Sequence, residues 1–118
     1  MQFMILIYDD ESQWAKMPEA ESKAIFGKYM AYSAEMTKAG VFKAGDALKP
    51  TSTATTVRLR QGKTLTTDGP FAETKEQLGG YYIIDVPNLE EALKWAAKCP
   101  SAPMGSIEVR PVMEMPKP

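Results

Sequence analysis

No histidine occurs among the 118 residues of this chain. That absence removes the side chain most often used for proton transfer near neutral pH, and every Ser–His or Cys–His dyad with it. It also removes imidazole ligation of haem or zinc, and one cysteine, Cys99, cannot build a thiolate metal site or an intrachain disulfide. Neither sign of charge dominates: 14 basic residues stand against 15 acidic ones, a formal net charge of -1. Such a balance gives no electrostatic footing for a nucleic acid or an anionic membrane surface, so neither is an expected partner. The apolar run near the start is too short to span a bilayer and follows no basic stretch, so a cytoplasmic protein is expected. No metal and no resident cofactor is expected. Any catalysis must run on carboxylates, Lys, Arg, Tyr, Ser or Thr, or on a borrowed cofactor.

What is present reads as an ordinary globular chain, 44% hydrophobic and 25% charged, of single-domain size. One domain over residues 1–118 is expected, with the Pro-rich tail 113–118 frayed. "QFMILIY" (2–8) is a β-branched and aromatic run that predicts a strand. "DDESQWAKMP" (9–18) reads as a polar loop anchored by Trp14. From Pro18 or Glu19 to Ala39 the pattern is helical, with Ile25, Tyr29, Tyr32 and Met36 on one stripe and Gly40 as the stop. A second strand follows at 41–48, broken by Gly45. Residues 53–70 predict a hairpin in which Thr55, Val57 and Leu59 alternate with Thr56, Arg58 and Arg60 around a Gln61-Gly62 turn. "GYYIIDV" (80–86) is a strong strand, 87–100 a helix capped by Asn88 and closed by Pro100, and 105–112 the last strand.

The order is β-α-β, an inserted hairpin, then β-α-β, which predicts an α+β ferredoxin-like sandwich with both helices on one face of an antiparallel sheet. The strand faces add a constraint. Phe3, Ile5 and Ile7 point one way and Met4, Leu6 and Tyr8 the other; Tyr81 and Ile83 likewise oppose Tyr82, Ile84 and Val86. Strands that are apolar on both faces need both faces covered, and two helices cover one. A second copy of the chain is the economical cover, so a homodimer with facing sheets, a dimeric α/β barrel, is expected.

The stretch "TDGPFAETKEQLGGYY" (67–82) concentrates the chemistry. Thr67-Asp68-Gly69-Pro70 is strong turn chemistry, Phe71 is expected to bury against the core, and Gly79-Gly80 admit a close backbone approach. Residues 72–78 suit a single helical turn or a short extended edge. Asp68, Glu73, Lys75 and Glu76 lie close together, and a carboxylate beside a lysine is open to a useful pKa shift. Architecture explains the glycines, Pro70 and Phe71; the four charged residues are either solvated or a site. Arg58 is a candidate clamp for an anionic ligand, and Tyr8 a candidate hydroxyl at a pocket wall, against exposed-hairpin and buried-phenol alternatives. Glu108 and Arg110 read as interface or rim residues, and Cys99 as a packed thiol.

With "ATTVRLRQGK" before it and "ALKWAAKCP" and "GSIEVRPV" after it, this stretch resembles the DGPF (DGPFAETKE) branch of the YCII-like family, from Tyr8 to Val112. The resemblance implies a ferredoxin-like fold assembled as a dimeric α/β barrel. Other YCII-like proteins are suspected of enzymatic activity through a histidine–aspartate pair, which a chain without histidine does not carry. The resemblance also implies a neighbourhood with extracytoplasmic-function sigma factors, hence a possible sigma-factor partner.

Three functions follow as expectations. One is a small-molecule enzyme in the inter-sheet cleft, with Asp68 as general base or acid and Arg58, Glu73, Lys75, Glu76 and Tyr8 around an unknown small molecule. Another is a non-enzymatic accessory protein linked to sigma-factor regulation. In the last, the motif is architectural only.

Overall fold

A computed structural model describes residues 1–116. The expected fraying of the tail falls in part on residues 117–118, outside the described residues. Nine elements follow one another: β1 (Gln2–Asp9), α1 (Glu11–Lys16), α2 (Glu19–Lys38), β2 (Phe42–Ala47), β3 (Thr55–Arg60), β4 (Lys63–Asp68), β5 (Gln77–Asp85), α3 (Leu89–Ala97) and β6 (Ser106–Pro111), with a 3-10 turn at Thr51–Thr53 between β2 and β3. The main sheet has the order β2-β5-β1-β6 with every pairing antiparallel, and β3 and β4 form a separate two-stranded ribbon. This is the α+β arrangement of a ferredoxin-like sandwich with a hairpin inserted before its third sheet strand.

The sequence patterns account for most of these boundaries. Asn88 caps α3, its Oδ1 accepting from the Glu91 N–H at 3.0 Å. Gly40, with φ 76°, ends the chain's exit from α2 in the left-handed region that favours glycine. The Gln61-Gly62 turn has φ 53° and 75°, the positive pair of a tight hairpin. The segment 9–18 is not a plain loop, however. Asp10 caps α1 by accepting from the Ser12 N–H at 2.9 Å and from its hydroxyl at 2.7 Å, which is enough to nucleate a short helix.

One face of the sheet is saturated. Phe3, Ile5, Ile7, Tyr82 and Ile84 pack under Tyr32 and Met36 of α2 and Ala92 of α3. Tyr32 joins the layers, donating to the Trp95 carbonyl at 2.7 Å and meeting Tyr82 edge-on with ring centroids 5.4 Å apart. Among the described residues no helix lies on the other face; the core residues of α2 and α3 all pack on the first. Register places Met4 beside Ile83 and Leu6 beside Tyr81 at its centre. On the edge strands of that face stand Asp46, which faces Tyr81, and Glu108 and Arg110, which face Leu6 and Met4.

Two expectations fail locally. Phe71 does not bury; it is 77% exposed. The turn is held instead by polar bonds, with the Gly69 N–H donating to the Ala54 carbonyl at 2.7 Å and the Thr56 hydroxyl to the Gly69 carbonyl at 2.8 Å. Residues 72–76 form bends and coil, neither a helical turn nor a strand, and β5 starts at Gln77 instead of Gly80. The early start follows from a bulge between Ile7 and Tyr8, past which Tyr8 and Asp9 still pair with Leu78 and Gln77.

The resulting body is a slab of 49 × 48 × 18 Å with a radius of gyration of 16.5 Å. A compact chain of this length has a radius of about 13.5 Å, so the slab is one sheet layer and one helix layer, with the hairpin extending sideways. Met36 is fully buried between α2 and the sheet. Met36→Ala is expected to cost about 2–5 kcal/mol in a denaturant titration; a loss under ~1 kcal/mol would show that the helix layer is not the core.

Candidate functional site

The alternation of β1 sends Tyr8 and Asp9 to opposite faces at the same end of the sheet. Two different polar environments result.

On Tyr8's side lies an open cleft of about 430 Å³ between the end of β1, the start of β5 and the root of the hairpin. Its walls are Tyr8, Thr51, Ala54 to Thr56, Pro70 to Ala72, Thr74 and Glu76 to Leu78. The Tyr8 hydroxyl donates to Glu108 at 3.3 Å, and burial first, then the Glu108 carboxylate, pushes its pKa up. Glu76 accepts from the Ser106 hydroxyl at 2.7 Å. Glu11, at the start of α1, accepts from the Thr51 N–H and hydroxyl at 2.7 and 2.8 Å, while its own N–H donates to the Gln77 side chain at 3.0 Å. These bonds fix the cleft wall without using the Tyr8 ring or the apolar wall residues.

The expected site residues are only partly gathered here. Tyr8 and Glu76 share the cleft. Arg58 sits at its margin, donating to the Phe71 carbonyl at 3.2 Å, so its guanidinium also braces the motif turn. Asp68 is exposed at the end of β4, paired in register with Thr55, and is not among the cleft walls. Glu73 and Lys75 are exposed, and among the described residues neither forms an ion pair. Among the same residues no three Asp, Glu or Cys side chains converge closely enough to hold a metal ion.

On the opposite face is a buried polar group that the sequence reading did not single out. Asp9 is 7% exposed, and its Oδ2 accepts from the Trp14 indole N–H at 2.7 Å. Burial pushes its carboxyl pKa up, the Trp14 bond opposes this, and the charges of Glu76, Glu11 and Asp10 add to the rise. Nearby, the Tyr29 hydroxyl bonds the Ser101 hydroxyl and lies 3.5 Å from the Cys99 sulfur. Burial raises the pKa of both the Tyr29 phenol and the Cys99 thiol, so neither is a ready nucleophile. Gly105 closes the group: a Cβ there would stand 2.1 Å from the Tyr8 carbonyl oxygen and 3.0 Å from the Asp9 Cβ. The signal that would have found Asp9 is its spacing, since it continues the core-facing series Phe3, Ile5, Ile7.

Fold and site together describe a small α+β domain with a half-covered sheet and a cleft at one end of its central strands. The YCII-related domain matches residues 1–116, and the chain belongs to that family. An uncharacterized protein of Rhizobium meliloti (strain 1021) is 40% identical over 114 residues, covering 95% of this chain and 92% of the relative. Among solved structures, 5-chloro-2-hydroxyhydroquinone dehydrochlorinase (TftG) from Burkholderia phenoliruptrix AC1100, in complex with 2,5-dihydroxybenzoquinone, shares the fold at a TM-score of 0.52 and 15% identity, covering 98% of this chain and 96% of that one. No described helix is long and apolar enough to cross a membrane.

The raised pKa of Asp9 gives a signed prediction. The unfolded carboxyl ionises near pH 3.8, and the folded one holds its proton to higher pH. Across that interval the unfolded state releases protons first, so stability falls as pH rises. Asp9→Asn does not titrate. The melting temperature of Asp9→Asn relative to the parent is therefore expected to climb from pH 3.8 towards neutrality and then level. A difference that stays flat or shrinks would contradict the buried-carboxyl account.

Proposed function

We propose that this protein binds a small molecule in the cleft beside Tyr8, as a member of the DGPF branch of its family and as a homodimer whose open sheet faces meet in an α/β barrel. The observation that carries this reading is the cleft itself. It joins a largely apolar wall (Pro70, Phe71, Ala72, Leu78) to a few polar groups, the Tyr8 hydroxyl and the Glu76 carboxylate, at the end of the two central strands. The motif at 68–76 supports the branch assignment, because part of it builds that wall. The TftG complex supports the ligand class, since a protein of this fold is known in complex with a small hydroxylated ring, 2,5-dihydroxybenzoquinone.

Dimerisation rests on the uncovered face. Met4, Leu6, Tyr81 and Ile83 form an apolar strip with charges only at its edges, the distribution of an interface centre and its rim. Binding comes before turnover in this reading. A catalytic role would fall on the carboxylates and phenol around the cleft, with Asp68 acting only if its turn moves inward.

A fragment screen read by amide chemical shifts tests the cleft. Hits, with 2,5-dihydroxybenzoquinone among the probes, are expected to perturb Tyr8, Thr55, Thr56, Gln77 and Leu78 together. The pair Tyr8→Phe and Glu76→Gln is expected to weaken them roughly tenfold. Hits that scatter over the surface, or none at all, would count against a binding function.

A further inference from the structure

The hairpin β3–β4 is poorly explained as part of a lone protomer. It pairs with no strand of the main sheet, and it exposes Val57 by 62% and Leu59 by 65% on one of its faces. The 18 Å thickness of the slab leaves no room for the hairpin to fold over its own open face. Its charge is one-sided: Arg58, Arg60 and Lys63 stand against Asp68 alone, three cations to one carboxylate. The edges of the open face lean to the opposite sign, with Asp46 on β2 and Glu108 on β6 against Arg110 on β6, two carboxylates to one guanidinium. Glu108 is also the acceptor of the Tyr8 hydroxyl, so it stands at the mouth of the cleft.

We infer that the hairpin is an exchange arm that completes the partner's cleft: Val57 and Leu59 of one protomer lie on the rim of its partner, and Arg60 and Lys63 reach the Glu108 carboxylate beside Tyr8. The occupant of the open face's edge is thus a second copy of this chain, selected by charge complementarity and by apolar surface that both elements expose. The inference rests on the homodimer proposed above, and it deepens that reading because each cleft then contains groups from two chains. Tight turn chemistry at Gln61-Gly62 keeps the arm straight enough to project.

The test uses dimers mixed from ¹⁴N- and ¹⁵N-labelled full-length protein and a zero-length carbodiimide cross-linker. Mixed-isotope cross-links between Lys63 and Glu108 are expected. Links found only within one isotope, or a dimer lacking this link, overturn the arm. In parallel, Val57→Asp with Leu59→Asp is expected to raise the dimer dissociation constant at least about 100-fold, given the apolar area such side chains bury. Both positions are exposed in the protomer, so its melting curve is expected to persist. Lys63→Glu is expected to weaken the dimer, and adding Glu108→Lys on the same chain to restore it. Fragment binding separates the two readings. If the arm variants stay dimeric and still bind in the cleft, the arm fails and the cleft stands; if the parent binds no fragment, the cleft reading fails whatever the arm does.

Discussion

Everything in this fold hangs on the two-sided apolar character of its central strand. Ile5 and Leu6 are neighbours in β1 and point to opposite faces, and both are almost fully buried in the protomer. On Ile5's side the debt is settled by α2 and α3, through Met36, Tyr32 and Ala92. On Leu6's side only neighbouring strands approach, with Tyr81 and Glu108 in register. A single sheet with one helix layer is a stable arrangement only if the second face is wetted or covered, and Met4, Leu6 and Ile83 are poor residues to wet. The proposed dimer, the composite cleft and the projecting arm all answer that one asymmetry.

The same alternation organises the polar end of the strand. One residue step separates Tyr8, which faces an open cleft, from Asp9, which is sealed under α1 and the turn before β6. The bulge at Ile7 and Tyr8 lets both residues pair with the start of β5, and so ties the DGPFAETKE segment to the sheet just before Gln77. The segment is therefore anchored at both ends, by the hairpin root at Gly69 and by β5. Its middle, Glu73 to Lys75, is left exposed. Where a tethered loop borders a cleft, its exposed centre is open to a ligand while its ends stay fixed.

Much of this was legible in the residues because local and global preferences agree. Periodicity located β1, α2, β5 and α3, and Asn88, Gly40 and Gln61-Gly62 marked boundaries that the structure keeps. Misreadings arose where a side chain's environment depends on distant chain segments. Phe71 looks like a core anchor by type, yet the turn beside it is already satisfied by Gly69, Ala54 and Thr56, so nothing draws the ring inward. Trp14 looked like an apolar anchor in a loop, whereas its indole N–H serves Asp9 from within a helix. Asp9 itself escaped notice because an acid after a strand usually begins a turn, and only its pairing with Gln77 keeps it in the sheet. Of the six site residues read from sequence, Tyr8 and Glu76 meet in the cleft, Arg58 borders it, and Asp68, Glu73 and Lys75 stand outside it. Spacing along a loop does not report which way that loop faces.

The account's central claim is that the face carrying Met4, Leu6 and Ile83 is covered by a second copy of the chain. Solvent paramagnetic relaxation of side-chain methyl groups measures this most directly. The account predicts that Met4 and Ile83, only half-buried in the protomer, are as protected as Ile5 and Ile84, while Leu89 and Leu93 on the outer side of α3 relax fast. Relaxation of Met4 and Ile83 at markedly faster rates than Ile5 and Ile84, in protein at concentrations where it is otherwise native, would contradict it.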